Sequence, residues 1–457
     1  MSTRFDKTEV FARMPVRRAV IRQIIPAIAS QMIMLVYNLA DTYFVGMLND
    51  PGQTAAITVV GSTAILLTAI SNLFGIGAAS MIAASLGRNE PEKAKQTAGI
   101  AFWCGIGSAL VFSVLFGFLS KPILTLCGAT ADTYIHAWTY AKWLLVWGGP
   151  FTIISTLLAN MIRAEGNASA ASFGISFGCI LNIILDPFFV LPQFLGMGAG
   201  GAGFATAISN TASAAFFLIY MARHKQDTVL SLSPRHLSHI RDCIRPVLSV
   251  GFPSAIQYVL TTVANSALMK TVSGYPTEAL AAVGIVKKLD QVPLFFSIGV
   301  ASGLLPLLAF NHAAGNQERR SKAFRFGVMI SVSFSLLCLV CYELFAPYLT
   351  GFFIDDPVTV AYAADFLRIA VIAMPMVAVC YPMIIQFQAM RQVKEALITS
   401  LIRKGLLDFP LLFIMNLVWP LYGLLCVQPI VDLTALVVVI FFYSRIQKKQ
   451  RAAMNLN

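Results

Sequence analysis

Two aspartates lie inside long apolar runs of this chain, each with a polar companion four residues earlier: Tyr37 before Asp41, and Asn182 before Asp186. If those runs are helical, each pair shares one face. Thr206 and Asn160, in neighbouring apolar runs, complete a candidate polar cluster. Carboxylate, amide and hydroxyl oxygens are the donors that a hard cation prefers, so Na+ at Asp41, Asn182 and Asp186 is one reading. A carboxyl group in a low-dielectric site also holds a proton readily, so H+ is the other. The bland alternative is that both aspartates sit near helix ends, Asp186 just before Pro187, and are merely solvated. A second group falls in the later half of the chain. Lys287 and Asp290 are three residues apart and can pair on one helical face, with Lys288 beside them. It is either a structural pair or part of a cavity wall. Asp408 and Asp432 are weaker candidates of the same kind, and Gln31 and Gln257 are further cavity candidates.

The composition gives these few residues their weight. Of 457 residues, 57% are hydrophobic and only 12% charged, against the ~25% usual in soluble domains. Mean hydropathy is +0.74. No soluble core of this length hides so much apolar surface. A soluble enzyme, a disulfide scaffold and a disordered regulator are therefore excluded, and a polytopic all-α membrane protein remains. A charged group at mid-depth in a bilayer costs at least ~2.5–3.5 kcal/mol on insertion scales, so acids inside spans point to function.

A spanning helix needs ~20 mostly apolar residues. Breaking the chain at charge clusters and at Pro/Gly loops predicts twelve spans: 22–48, 54–86, 95–120, 133–161, 168–191, 199–222, 246–273, 279–311, 324–346, 359–388, 393–417 and 420–444. The first follows a basic segment that includes Arg4 and Lys7 and is too long for a signal-peptide core. With twelve spans, 27 of the 33 Lys and Arg residues fall on one side, including Arg391, Lys394, Arg403 and Lys404 after the tenth span. That pattern predicts cytoplasmic termini. It also accounts for the net charge of +12 without any nucleic acid partner.

The halves echo each other. Pro26 matches Pro253 and Asn38 matches Asn265 at an offset of 227; Pro122 matches Pro347 and Pro150 matches Pro375 at 225. Gly87 with Gly315 and Pro187 with Pro410 continue the series. The expected layout is two pseudo-symmetric six-helix bundles forming a V around a central cavity: a first lobe over 1–225, a cytoplasmic linker over 226–245 and a second lobe over 246–457. The linker, with His224, His236 and His239, reads as a solvated loop. Pro26, Pro253, Pro150 and Pro375 are expected hinges, because proline frees backbone carbonyls within a span. Repeats of this kind favour alternating access.

Four runs, in order, resemble signatures of the multidrug and toxic compound extrusion (MATE) family: YNLADTYFVGML from Tyr37, LFGIGAASMIAASLGRNEPEKA after the second span, NIILDPFFV in the fifth and GGAGFATAISN in the sixth. The resemblance covers the whole chain and is nearest to the bacterial drug-exporting branch. It implies a secondary antiporter in the inner membrane, driven by Na+ or H+ without ATP or cofactor, that exports organic cations and drugs. A monomer is expected. The resemblance also carries cation handling onto Asp41, Asn182, Asp186, Thr206, Asn160 and Tyr37. The second lobe departs from relatives that hold acids in their seventh and tenth helices: Gln257 stands in the seventh, and Cys380, Tyr381 and Gln386 in the tenth. The alternative is a lipid-linked saccharide flippase, which would want a strongly cationic cavity.

Other chemistries find little support. The eight cysteines have no ligand spacing and read as small core residues. The glycine run from Gly198 to Gly203 lacks both a preceding strand and a following Lys-Ser/Thr, so it is no phosphate loop. His136 and His312 lie near span ends, which argues against an intramembrane enzyme.

Overall fold

The computed structural model describes residues 9–48 and 50–454, so Arg4 and Lys7 lie outside the described residues. Everything described is helix or short connection. The first lobe runs through a single turn α1 (Glu9–Ala12), α2 (Val16–Gly46), α3 (Pro51–Gly87), α4 (Pro91–Leu126), α5 (Ala131–Ala141), α6 (Gly149–Ala164), α7 (Ala168–Val190) and α8 (Ala199–Arg223). The second holds α9 (Ile240–Val272), α10 (Thr277–Ala313), α11 (Gln317–Gly351), α12 (Pro357–Val371), α13 (Met374–Ala389), α14 (Val393–Leu401), α15 (Asp408–Val418) and α16 (Tyr422–Met454). Among the described residues nine helices are long and apolar enough to cross a membrane, and the bent pairs α5–α6 and α12–α13 bring the number to eleven. The one remaining expected span, 393–417, is α14–α15. It is interrupted by a π-helical turn, Ile402–Leu406, that carries Arg403 and Lys404.

The duplication is visible in how the helices bend. Pro150 and Pro375 occupy the first turns of α6 and α13, directly after breaks of 46° and 45°. Proline has no N–H to continue the preceding ladder, so a helix restarts there instead of passing through. In the first lobe the break follows a π turn, Lys142–Trp147, closed by the Gly148 N–H on the Trp143 carbonyl at 2.8 Å. Leu119 and Phe345 leave helical geometry just before Pro122 and Pro347, a second matched pair of kinks. Pro26 and Pro253 behave differently. Each lies inside a continuous helix, α2 and α9, so of the four expected hinges only Pro150 and Pro375 stand at a break between helices.

The lobes meet on the side that carries the chain termini. There α3 packs on α9 and α10 on α2, more extensively than any other helix pairs. Gly77 and Gly251 make the first contact possible: a side chain on Gly77 would strike the Val247 carbonyl, and one on Gly251 the Leu73 carbonyl. Backbones approach this closely only where no Cβ intervenes. The Ser80 hydroxyl reaches the Gln388 carbonyl across the same seam at 3.2 Å. On this side one buried apolar core joins both lobes, whereas toward the other side each lobe keeps its own, around Val60 and Phe116 in the first and Val283 and Phe366 in the second. The lobes are thus closed at the terminus side and apart at the opposite one. Asp50 works at the open side. It caps α3 through the Gly52 N–H at 2.9 Å and the Gln53 amide at 3.0 Å, and the Gln53 amide above all holds its carboxyl below the usual range. Gln53 in turn accepts from the Ala199 N–H that opens α8, at 2.7 Å.

The linker is not a free solvated loop. The buried Glu165 carboxylate accepts from the Thr228 hydroxyl and from the Val229 and Leu230 N–H groups, and the Trp103 indole donates to the Leu232 carbonyl at 3.0 Å. Residues 228–236 therefore lie along the first lobe, and the second begins at Ile240, earlier than expected. Across the closed side, α1 crosses the other way. Phe11 is fully buried against Phe310, and Asn311 and Arg319 donate to its carbonyl at 3.2 and 2.7 Å.

Candidate functional site

In the first lobe, α2, α5, α7 and α8 converge on two carboxylates. Asp41 is 7% exposed and Asp186 fully buried. The four-residue spacing of Asn182 and Asp186 does what a helix requires. With the Asn182 amide oriented so that both of its ends find partners, Nδ2 donates to Asp186 Oδ2 at 2.9 Å and Oδ1 faces the Thr206 hydroxyl at 3.1 Å. The Tyr37 phenol lies among Asp41, Thr206 and Asp186. From α5, the Tyr140 hydroxyl donates to Asp41 Oδ2 at 3.4 Å. One oxygen on each acid, Asp41 Oδ1 and Asp186 Oδ1, is buried without a partner. Among the described residues no basic side chain pairs with either acid. A buried polar atom without a partner costs ~1–3 kcal/mol, more when charged, so two such oxygens mark a place that receives something. Among the described residues no group of three or more His, Cys, Asp and Glu could hold a metal. The donors here, two carboxylates with amide and hydroxyl oxygens, fit a monovalent hard cation or a proton.

The second lobe holds the larger polar assembly. Arg403 Nε donates to Asp432 Oδ1 at 2.7 Å, and both side chains are at most 2% exposed. Gln428 bridges the Lys404 ammonium at 2.7 Å and the second oxygen of Asp432 at 2.5 Å. The Arg403 guanidinium lies 4.4 Å from the centre of the Tyr381 ring. The π turn makes this possible: Lys404 leaves helical geometry at φ −134°, and the adjacent Arg403 and Lys404 both turn into the lobe.

A family model named MatE matches the chain twice, over residues 26–188 and 253–414, which together make up most of its length. The chain belongs to the MatE family. The two matched segments start 227 residues apart, the same offset that relates Pro26 to Pro253. Among curated proteins, this MatE chain is 26% identical over 440 residues to the multidrug export protein MepA of Staphylococcus aureus, with 95% of the chain and 96% of MepA covered. MepA of Staphylococcus saprophyticus is also 26% identical, over 446 residues, with 97% and 96% covered. Among solved structures, an outward-facing multidrug resistance MATE family transporter superposes with a TM-score of 0.90 at 22% identity, covering 97% of this chain and 99% of that one. At that identity the likeness shows the fold: twelve transmembrane helices in two six-helix bundles.

Several expected site residues of this MatE protein stand elsewhere. Asn160 does not join the Asp41 cluster. Its amide donates to the Thr156 carbonyl at 2.9 Å and accepts from Arg163 at 3.1 Å, near the terminus-side end of α6 and against Gly75. Lys287 and Asp290 form no ion pair, although both wall the same cavity. Lys288 is exposed and lines neither second-lobe cavity. Gln257 is buried on α9, one turn after the Ser254 hydroxyl that accepts from Gln388 at 2.8 Å, and Gln31 is half-buried on α2. Arg403 and Lys404, expected among the terminus-side charges, are buried inside the lobe, so the one-sided charge count loses two members. Sequence reasoning missed Tyr140 and the Arg403–Asp432 pair. The available signal for Tyr140 is a hydroxyl inside an apolar run. For the pair it is a single acid in an otherwise apolar final span.

Proposed function

We propose that this MatE protein is a cation-coupled antiporter that exports organic cations and drugs by alternating access. The carrying observation is the pair of buried acids in the first lobe, Asp41 and Asp186, each with a carboxylate oxygen lacking a partner and with no basic partner among the described residues. The names of the similar proteins, which are multidrug exporters, support the cargo class. In this reading the protein lies in the inner membrane with cytoplasmic termini, so its open side faces outward. Na+ or H+ enters from that side to Asp41, Asn182 and Asp186. Tyr140 holds the Asp41 carboxylate, Thr206 orients Asn182 toward Asp186, and Tyr37 stands between them. Cation binding changes the affinity of the cleft for cargo, and by linkage cargo changes the affinity for the cation by the same factor. The matched breaks before Pro150 and Pro375 are where the two lobes can flex alike. ATP has no part in the cycle. The saccharide flippase is less favoured, because the charged residues of the second lobe are mixed in sign and not strongly cationic.

The test is efflux of a fluorescent organic cation from proteoliposomes under an imposed Na+ or pH gradient. Wild-type protein is expected to respond to one of the two gradients, and Asp41→Asn to fall to the background of empty vesicles while still inserting. Wild-type rates from Asp41→Asn would overturn the role given to this residue.

A further inference from the structure

The second lobe contains a cavity that the coupling reading does not use. Its main chamber, of about 300 Å³, is walled by Lys287 and Asp290 of α10, Arg403 and Lys404 of the π turn, and Gln428 and Asp432 of α16. It shares Lys287, Asp290, Lys404 and Gln428 with a narrower recess of about 50 Å³ that reaches Asp408. Ligand pockets start at about this size.

The charges in these walls balance. Lys287, Arg403 and Lys404 face Asp290, Asp408 and Asp432, yet the only ion pair among them is Arg403 with Asp432. Lys404 is held by Gln428, and neither Lys287 nor Asp290 has a hydrogen-bond partner among the described residues. Two atoms of the walls are buried without partners: Nη1 of Arg403, a residue 1% exposed, and Oδ2 of Asp408, a residue 6% exposed. A purely structural network in a low-dielectric interior would leave few such groups, because each one costs free energy. This network leaves both a cationic and an anionic set unsatisfied.

That pattern selects a ligand by charge. A simple cation would satisfy Asp290 and Asp408 but meet Lys287 and Lys404. A simple anion would meet the reverse conflict. Removing one member of a buried, balanced set is strongly unfavourable, and so is adding one unmatched charge to it. A molecule that carries both charges satisfies both sets at once. We propose that the second-lobe chamber is a binding site for a small zwitterion, a molecule with one carboxylate and one ammonium group. The carboxylate faces Lys287, Lys404 and the free Arg403 nitrogen, and the ammonium faces Asp290 and Asp408. Met269, Met374 and Val377 line the same chamber and offer adaptable apolar surface to the rest of the ligand. The first lobe, with acids and no basic partner, is unsuited to such a molecule. Because the zwitterion site is separate from ion coupling, it is tested by equilibrium binding without any gradient.

The experiment uses the full chain in lipid nanodiscs and three probes with one fluorophore: Nε-dansyl-lysine as the zwitterion, its methyl ester as the cation and its Nα-acetyl derivative as the anion. Wild-type protein is expected to prefer the zwitterion over both others by at least ~10-fold, a difference of ~1.4 kcal/mol. Lys287→Met should weaken the zwitterion ~10-fold or more and tighten the methyl ester, because the chamber is then left with excess negative charge. Asp290→Asn should instead tighten the acetyl derivative, and Lys287→Arg should keep the wild-type ranking. A merely structural role for these side chains would not exchange ligand preference in opposite directions. Equal affinity of the wild type for all three probes, or no binding of any, would overturn the proposal. So would an unchanged ranking in both charge-removing variants. Should a variant fail to fold, the three-probe ranking of the wild type decides alone.

Discussion

The two lobes share a scaffold and differ in how they handle charge. Each has a broken fourth helix restarted by proline, Pro150 in one and Pro375 in the other, and a kink before Pro122 or Pro347. Into this common frame the first lobe places two acids with no basic partner among the described residues, while the second places three acids among three bases. Backbone bends are set by proline and survive divergence of the surrounding side chains. Electrostatic character is carried by a handful of side chains and can separate freely. A lobe of lone acids attracts a positive charge; a lobe of balanced ions resists one.

Four substitutions test this contrast, beginning with the largest expected effect. Asp432→Ala leaves the Arg403 guanidinium buried and uncompensated, and should cost ~3–5 kcal/mol in thermal or denaturant unfolding of the detergent-solubilised protein. Asp186→Asn, in the other lobe, removes a buried charge that lacks an ionic partner and should be neutral or stabilising. Equal losses from the two would mean that the lobes are electrostatically alike after all. Next in size is Asn182→Ala, which strips Asp186 of a hydrogen bond at 2.9 Å. A bond to a charged group contributes ~1.5–3 kcal/mol, so the concentration of coupling cation at half-maximal efflux should shift by about tenfold or more. An unshifted midpoint would take Asn182 out of the cation site. Smallest is Tyr140→Phe, which loses one long hydrogen bond to Asp41 and should move the same midpoint by ~0.5–1.5 kcal/mol. If it moved the midpoint more than Asn182→Ala does, Asp41 and not Asp186 would dominate the site.

Much of the first-lobe cluster is legible in the amino-acid sequence, and the reason is local. Tyr37 with Asp41 and Asn182 with Asp186 are four apart on single helices, and helical periodicity alone brings each pair to one face. Thr206 is legible as a polar residue in an apolar run, but its contact with Asn182 belongs to packing. Asn160 looks identical in sequence, and packing sends it to Gly75 and Arg163 instead. Arg403 and Lys404 are harder. Two adjacent bases just after a basic loop look like more of that loop, and only the π turn shows that both point inward.

The sequence by itself determined the membrane class, the twelve helical segments and the duplication, because bilayer thickness, helical rise and the missing proline N–H act along the chain. Tertiary structure decided the rest. It placed Tyr140 beside Asp41, closed the lobes on one side through Gly77 and Gly251, and gathered Lys287, Lys404, Asp408 and Asp432 around two adjoining cavities. Asp41 and Tyr140 are 99 positions apart, and Lys287 is more than a hundred from Lys404, Asp408 and Asp432. Their charges interact through space, and no spacing along the chain encodes that distance.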